Sequence, residues 1–321
     1  MDLSPIIVFC YNRPWHVEQT LEALSKNIYA DESVLYVFCD GPKDNASEEQ
    51  IKKIKDTRIV VRKKQWCKEV HIIEAEKNKG LANSIIDGVT RVIEKYGKVI
   101  VLEDDLITSP YFLKYMNEAL CFYDNSLGVM SISANRPPIK KMIIPKDYSY
   151  DVFASLRPFS TGWATWIDKW NKVDWSLDYL DDFLKQSKEV EAFNRGGDDM
   201  TEMLLLQRDK KIDSWAIRWA FAHFKEHCIG ILPCVPYVDN IGFDGTGVHS
   251  GSDDKDFRNN VMNAPMNPKL INILYEDDRI INAFANYYSK CKRPFWKKTC
   301  NWLARKFGMD SPFTIKKKIY E

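Results

Sequence analysis

Three consecutive acidic residues, Glu103, Asp104 and Asp105, form the feature of this sequence with the clearest chemical meaning. Clustered carboxylates repel one another unless they are solvated, paired with a cation or bound to a metal ion. Hard divalent ions such as Mg²⁺ and Mn²⁺ commonly bind one or two carboxylates together with substrate phosphates. Such an ion neutralises a diphosphate leaving group as its bond breaks. Acidic triplets are also frequent on protein surfaces, so the meaning of this one depends on the elements around it.

The first third of the chain alternates between strand-like and helix-like segments, and the acidic triplet follows the fourth strand. Continuous apolar runs predict buried parallel strands, at 5–10, 34–39, 70–73 and 98–102. Apolar residues at helical spacing predict helices between them, at 16–26, 47–56, 80–96 and 110–123. This order predicts an α/β fold with an open, mostly parallel central sheet and helices on both of its faces.

Polar residues follow three of the predicted strands directly: residues 11–13, residues 40–41 and the acidic triplet. Ligands of open α/β sheets bind beyond the carboxyl ends of the strands, so these three ends predict one site at one edge. The same residue types also make ordinary turns, and that alternative stays open for each end taken singly. The glycine patterns of dinucleotide-binding sites and P-loops do not occur.

The composition restricts the function classes. The 321 residues carry 46 basic and 45 acidic side chains and are 45% hydrophobic, which argues against disorder and against a chain-wide nucleic-acid interface. None of the eight cysteines forms a C-x-x-C pair, which favours a reducing compartment without a disulfide framework. No apolar run reaches the roughly 18 residues of a membrane span. We therefore expect a cytoplasmic protein.

The remainder of the chain changes character after residue 128. Residues 129–175 are β-like and rich in tryptophan, and helices are predicted at 178–195, 200–208 and 215–227. A short strand at 229–233 leads into a glycine-rich loop at 240–249. We interpret 1–128 and 129–255 as two halves of one domain, and 256–321 as a basic helical extension.

Seven segments, in matching order from about residue 5 to 250, resemble the GT-A nucleotide-sugar glycosyltransferases. The resemblance is to bacterial enzymes of the family 2 type that are related to N-acetylglucosaminyltransferase I. Residues 99–109 are similar to the strand that carries the metal-binding "DXD-like" signature of that family. The other segments are 5–14, 37–41, 78–83, 162–166, 213–219 and 240–249.

The resemblance implies roles for individual residues. Asp105 would bind Mn²⁺ or Mg²⁺ directly, with His249 as a second ligand or a diphosphate contact; the alternative for His249 is a solvated loop histidine. Asp40 would hydrogen-bond the uracil or ribose of a UDP-sugar. The full donor-binding set would be Tyr11, Asn12, Arg13, Asp40, Asn78, Gly80, Leu81, Glu103 and Asp104.

The general base and the acceptor site are less directly indicated. In N-acetylglucosaminyltransferase I the base is an Asp that follows a Trp, but here Ala216 follows Trp215. Asp213 is our candidate base, with Asp199 and Asp198 as rivals; the alternative for Asp213 is a helix N-cap. The residues expected to stack on acceptor or donor sugars, or else to fill the core, are Trp163, Trp166, Trp215 and Trp219.

The C-terminal residues 288–321 contain ten Lys or Arg and two acidic residues, interleaved with Trp and Phe. This composition favours contact with an anionic membrane surface, and the alternative is a basic helix packed on the protein. Together these features predict a metal-dependent glycosyltransferase, of the inverting type, acting on a saccharide or lipid-linked saccharide in surface polysaccharide synthesis. The alternatives are a nucleotidyltransferase on a similar fold and a non-catalytic sugar- or lipid-binding module. No nucleic-acid partner is expected.

Overall fold

The structure, a computed structural model, describes residues 2–138, 140–244, 258–272 and 276–289. Eight strands form the central sheet, in the order β3-β2-β1-β4-β8-β6-β9-β7. Their bounds are β1 Ile6–Cys10, β2 Val34–Cys39, β3 Glu69–Glu74, β4 Lys98–Glu103, β6 Val129–Ser133, β7 Val152–Ser155, β8 Trp163–Trp166 and β9 Ile229–Pro233. Strands β5 (Leu106–Thr108) and β10 (Val238–Asn240) form a second, two-stranded sheet.

Strands β1 to β4 are mutually parallel, as the alternating pattern predicts. Cys10 pairs in register with Cys39 of β2, and Phe9 pairs with Glu103 of β4. The carboxyl ends of these three strands therefore meet at one edge of the sheet, and this expectation is confirmed. Strand β8 enters antiparallel between β4 and β6, so that β6 again runs parallel to β4.

Helices cover both faces of the sheet, which confirms the predicted fold class. Their bounds are α1 Pro14–Leu24, α2 Glu48–Val60, α3 Leu81–Tyr96, α4 Phe112–Phe122, α5 Ile167–Trp170, α6 Leu180–Leu184, α7 Ser187–Phe193, α8 Met200–Arg208, α9 Trp215–Lys225 and α10 Asp278–Ser289. Ile6 and Val8 of β1 face a core with α1 and α4. Ile7 and Phe9 face a second core with α3 and α9. Both faces of β1 are buried, which explains its unbroken apolar run.

Helix α1 connects the large sheet to the small one. Its face with Val17, Leu21 and Leu24 packs into the core beneath β1. Its polar residue Asn27, just beyond the helix, donates from Nδ2 to the Thr108 hydroxyl at 2.8 Å and accepts from the Leu113 amide at 3.0 Å. The strand β5 that follows the acidic triplet is thus held against α1 by polar contacts as well as by packing.

The helix predicted at 178–195 is divided into α6, α7 and a 3-10 turn at Asn194–Gly196. Phe183 and Phe193 both pack edge-on around Phe221, and their own rings lie 5.7 Å apart. In one continuous helix, ten residues would separate the two rings by about 15 Å along the axis. Packing around Phe221 therefore outweighs local helix propensity, and the prediction of a single helix was wrong.

Two parts of the sequence analysis lie outside the described residues: His249 and the basic tail from residue 290 onward. Within the described parts of the chain, no helix is long and apolar enough to cross a membrane.

Candidate functional site

An ion-pair cluster lies where β4 ends. Arg13, in the loop between β1 and α1, pairs through Nη2 with Asp104 and, at 2.9 Å, with Oδ2 of Asp105. Asp104 is buried, whereas Arg13 and Asp105 are partly exposed. One guanidinium thus compensates two of the three carboxylates that the sequence places together, and the third, Glu103, lies beside them at the end of β4.

The electrostatics of this cluster favour a further positive charge. Burial, together with the neighbouring charges of Asp105 and Asp104, raises the pKa of Glu103 to about 8. Burial also raises the pKa of Asp104, although Arg13 opposes this shift. Burial alone would lower the pKa of Arg13, but its two carboxylate partners outweigh that effect and raise it. The acidic triplet is therefore only partly neutralised by the protein itself.

The main chain around Asp105 is held on both sides. The hydroxyl of Thr20, from α1, donates to the Asp104 carbonyl at 2.8 Å and accepts from the Leu106 amide at 3.1 Å. The Ile241 amide, just after β10, donates to the Asp105 carbonyl at 2.9 Å. Helix α1 and the small sheet thus fix the peptide that presents the Asp105 carboxylate.

The segment after β10 lies directly against the acidic residues. A Cβ atom on Gly242 would overlap Oδ2 of Asp105 and would lie 3.1 Å from Nη1 of Arg13, so the absence of a side chain here allows Asp105 its observed position. Further along, Oδ2 of Asp244 lies 3.0 Å from Nε2 of His16 in α1. Residues 240–244 therefore cover one side of the cluster.

Asp40, at the end of β2, organises the next part of the edge. Its Oδ1 accepts from the amides of Gly41 and Lys79, at 2.8 and 2.9 Å. Its Oδ2 accepts from the Asn78 side chain at 2.9 Å and from the Gly80 amide at 3.2 Å. A carboxylate has about four acceptor positions, and here three of them are used by the 78–80 segment and the fourth by the adjacent Gly41 amide. Asp40 acts here as a clasp for that segment, not as a carboxylate awaiting a ligand.

The remaining residues of the expected donor set surround the same edge. Gly80 has a left-handed φ of 76° and precedes α3, and Leu81, the first residue of α3, is 40% exposed. Tyr11 and Asn12 are partly buried in the loop after β1. The structure thus brings together every described residue of the expected donor set along the ends of β1, β2 and β4.

The three tryptophans expected to stack on an acceptor are core residues. Trp163, Trp166 and Trp215 are 2%, 4% and 4% exposed, so none offers a ring face to a sugar in this structure. Trp163 instead stacks on Trp215 with ring centroids 5.0 Å apart, and Trp219 is also buried in the same cluster. Tryptophan is the largest core-filling side chain, and this use replaces the acceptor role that the pattern suggested.

Two of the three candidate general bases, Asp199 and Asp213, differ sharply in environment. Asp199 is 6% exposed and accepts through both oxygens from Nη1 of Arg157, at 2.8 and 2.9 Å. The Asp213 side chain is 60% exposed and lies 3.3 Å from Nη2 of Arg218. Ser214, not Asp213, is the N-cap of α9, because its hydroxyl accepts from the Ile217 amide. The N-cap alternative for Asp213 is therefore wrong.

Asp213 lies next to a helix that packs on the central sheet. It precedes α9, whose first residue, Trp215, stacks on Trp163. Trp163 in turn pairs with Val101, two residues before the end of β4. Asp213 and Asp198 are both exposed, as proton transfer from an acceptor requires, while Asp199 is committed to an ion pair with Arg157.

A comparison with protein families decides the identity of this arrangement. The model of the family described as "Glycosyl transferase family 2" matches residues 6–169, about half of the chain, and this range includes β1, β2, β4 and the acidic triplet. The chain belongs to glycosyl transferase family 2. This membership confirms the family 2 resemblance that its motifs carry, whereas the narrower relation to N-acetylglucosaminyltransferase I stays a prediction.

Solved structures similar to this family 2 chain include several sugar-processing proteins. Residues 1–349 of TarS from S. aureus match with 11% identity and a TM-score of 0.42, over 74% of this chain and 60% of that one. Glucosyl-3-phosphoglycerate synthase from Mycobacterium tuberculosis, in a complex with Mn²⁺ and UDP, matches with 12% identity and a TM-score of 0.33, over 53% and 58%. The galactosyltransferase LgtC, in a complex with donor and acceptor sugar analogs, matches with 11% identity and a TM-score of 0.34, over 68% and 69%. This chain thus spans less than two thirds of the matched TarS structure, and no curated protein matches its sequence.

The carboxylate oxygens of the candidate site are ligands that suit a hard divalent ion. Among the residues that the structure describes, no three His, Cys, Asp or Glu side chains converge as a complete metal cage. Mg²⁺ and Mn²⁺ do not need one when substrate phosphates supply the other oxygens, and one or two carboxylates then suffice. The under-compensated carboxylates of Asp104 and Asp105 fit that description.

Sequence reasoning missed two residues that contact the candidate site, Thr20 and Gly242. Thr20 interrupts the apolar face of α1 and is fully buried, and a polar residue on a core-facing stripe is a readable signal. Gly242 lies inside the glycine-rich segment 240–249, but only the tertiary structure reveals that it is the glycine that touches Asp105.

Proposed function

We propose that this family 2 protein transfers a sugar from a nucleotide-sugar donor, UDP-linked in the favoured case, to a saccharide acceptor. The observation that carries the proposal is the junction of Arg13, Asp104 and Asp105 at the ends of β1 and β4, beside the segment clasped by Asp40. Ligands of open α/β sheets bind at this edge, and the acidic turn there is partly uncompensated.

In this proposal the donor lies along the ends of β2, β1 and β4. The nucleoside contacts Tyr11, Asn12 and the 78–81 segment, with Asp40 acting through the fold of that segment. The diphosphate lies near Arg13, where a guanidinium pairs well with phosphate oxygens. Glu103 and Asp104 complete the donor pocket.

Asp105 would hold a Mn²⁺ or Mg²⁺ ion, with His249, outside the described residues, as the further ligand that the resemblance implies. The bound ion would supply Lewis-acid stabilisation of the nucleoside diphosphate as it leaves. The protein's own part is to hold the Asp105 carboxylate in place and to offset its charge through Arg13 when no phosphate is present.

Asp213 would act as the general base of an inverting reaction. It would take the proton of the acceptor hydroxyl while that oxygen forms its bond to the anomeric carbon, on the face opposite the leaving group. Its exposed carboxylate, which an acceptor hydroxyl could reach, supports this assignment. Asp199 is the second candidate, and its buried pair with Arg157 argues for a structural role.

The acceptor is proposed to be a growing saccharide, free or lipid-linked, of a surface polysaccharide. The basic composition of residues 288–321 supports a cytoplasmic protein that attaches peripherally to an anionic membrane. The division into a donor-binding half at 1–128, an acceptor-binding half at 129–255 and an extension at 256–321 is part of the same proposal.

Nucleotide release is the test. Purified protein is incubated with UDP-glucose, UDP-galactose and UDP-N-acetylglucosamine in the presence and absence of Mn²⁺, with water as the default acceptor. We expect slow, Mn²⁺-dependent release of UDP from one donor, lost in Asp105→Asn and retained in Asp182→Asn, which alters an exposed carboxylate on α6. Pyrophosphate release from UTP and a sugar phosphate would support a nucleotidyltransferase instead. A folded protein that neither turns over nor binds any nucleotide would support the binding-module alternative.

A further inference from the structure

Thr20 occupies an unusual place for a polar side chain. It lies on the face of α1 that carries Val17, Leu21 and Leu24, and its exposed fraction is zero. A buried hydroxyl is costly unless its hydrogen-bonding capacity is used. The hydroxyl of Thr20 links α1 to the turn after β4, because it donates its hydrogen to the Asp104 carbonyl at 2.8 Å.

The two hydrogen bonds of Thr20 bracket Asp105. The first ends on the carbonyl of the residue before it, and the second comes from the Leu106 amide immediately after it, at 3.1 Å. With the Ile241 amide bound to the Asp105 carbonyl at 2.9 Å, the peptide units on both sides of Asp105 are fixed. The side-chain torsions are then the main freedom left to this carboxylate.

We propose that Thr20 is a positioning residue for the divalent cation, acting through the main chain of Asp105 without touching the ion. The inference rests on the proposed function, because it assumes that Asp105 binds the cation. Groups that orient a metal ligand contribute substantially to affinity, since a ligand held in place loses less freedom when the ion binds. Rigid presentation matters more here because the protein offers few ligands.

The direct test is Thr20→Val, which keeps the shape of the side chain and removes both hydrogen bonds. Isothermal titration of the purified full-length protein with Mn²⁺ in the presence of saturating UDP, well below the unfolding temperature, gives the apparent dissociation constant for Mn²⁺. We expect Thr20→Val to weaken Mn²⁺ binding about 10- to 100-fold. Thr20→Ser, which keeps the hydroxyl, should bind Mn²⁺ like the wild type.

Thr57→Val is the matched control for lost stability. Thr57, on α2, is also fully buried, and its hydroxyl donates to the Lys53 carbonyl at 2.8 Å, away from the acidic turn. We expect Thr57→Val to leave Mn²⁺ affinity unchanged. Hydrogen exchange adds a readout without metal: the Leu106 amide should exchange faster in Thr20→Val than in the wild type.

Each outcome decides the proposal. Weaker Mn²⁺ binding in Thr20→Val alone, with faster exchange at Leu106, supports it. Unchanged Mn²⁺ binding in Thr20→Val, or equal weakening in Thr57→Val, overturns the positioning role while leaving the proposed function intact. A wild-type protein that binds no Mn²⁺ with any nucleotide sugar overturns the proposed function itself, and the role of Thr20 with it.

Discussion

The candidate site depends on a small excess of carboxylates over cations. Arg13 pairs with Asp104 and Asp105, and Glu103 lies beside them with a pKa raised to about 8. A site that must accept both a divalent cation and a diphosphate benefits from this composition. The acidic residues attract the ion, and the guanidinium can pair with the phosphates.

At the scale of single residues, Asp213→Asn is expected to lower kcat by about 100-fold or more, because the neutral amide cannot accept the proton of the acceptor hydroxyl. Donor binding should be unchanged, since Asp213 lies outside the donor-binding set. The measurement is steady-state turnover of the preferred donor together with its binding constant. Equal kcat values for the variant and the wild type would remove Asp213 from the mechanism.

Asp199→Asn is expected to show the opposite pattern. It removes the buried charge that pairs with the partly buried Arg157 guanidinium, which also lies 3.9 Å from the centre of the Tyr288 ring. Breaking a buried pair costs about 3 kcal/mol in free energy of unfolding. Urea unfolding monitored by tryptophan fluorescence tests this, with the exposed Asp213→Asn as control. A fully stable Asp199→Asn protein with no turnover would transfer the base role to Asp199.

Residue types and order alone identified the acidic triplet, Arg13 and Asp40, because each follows an apolar run that can only be a buried strand. The roles of individual side chains were harder to predict. The acceptors of Asp40 are filled by residues up to 40 positions away, and Trp163 and Trp215 are buried by partners from α9 and β8. Whether the acceptor atoms of a carboxylate are filled, or a tryptophan ring is covered, depends on tertiary contacts that hydrophobic periodicity does not encode.

At the scale of elements, the small sheet of β5 and β10 is the part that completes the site. It brings residues 240–242 onto Asp105 and Arg13, and α1 supports it from the other side. Two three-residue strands are too short to produce a periodic signal, so the sequence did not reveal them. The long apolar strands β1, β2 and β4 were predicted almost to the residue for the opposite reason.

Gly242→Ala tests this arrangement. The added Cβ would overlap Oδ2 of Asp105, so either the Asp105 carboxylate or the segment must shift, and the present arrangement of the two is lost. We expect Mn²⁺-dependent UDP binding to be lost or strongly weakened. The control is Gly97→Ala, which strains a left-handed φ of 77° at the end of α3 but meets no atom within 4 Å. If both variants bound UDP equally well, residues 240–244 would have no part in the site.

At the scale of the whole molecule, one sheet joins the ends of β1, β2 and β4 to the tryptophan-rich half of the chain. His223 connects helix α9 to strand β6 of this sheet. Nδ1 of His223 lies 2.8 Å from the Trp219 carbonyl, which can only accept, so this nitrogen carries the proton. Nε2 then accepts from the Ser131 hydroxyl of β6 at 2.8 Å. The neutral ring thus ties α9 to the central sheet.

Burial lowers the pKa of His223 from 6.5 to about 4. Between these values the unfolded chain takes up a proton that the folded protein does not. The stability that neutral His223 supports is therefore complete above pH 6.5 and falls, by about 3 kcal/mol in total, as the pH drops to 4. Unfolding free energies of the wild type should decline more steeply over this range than those of His223→Gln. Parallel pH profiles would show that His223 titrates normally.

The edge formed by β1, β2 and β4 is proposed to bind a nucleotide sugar through Asp105. The most direct measurement is thermal stability in the presence of UDP-, GDP-, CMP- and dTDP-sugars, each with and without Mn²⁺. A ligand at about 100 times its dissociation constant adds about 2.7 kcal/mol, which is readily detected. We expect one class of nucleotide sugar to stabilise the protein, and only when Mn²⁺ is present. This stabilisation requires Asp105, so we expect none in Asp105→Asn. Stabilisation that persists in Asp105→Asn, or none with any nucleotide sugar, would contradict this proposal.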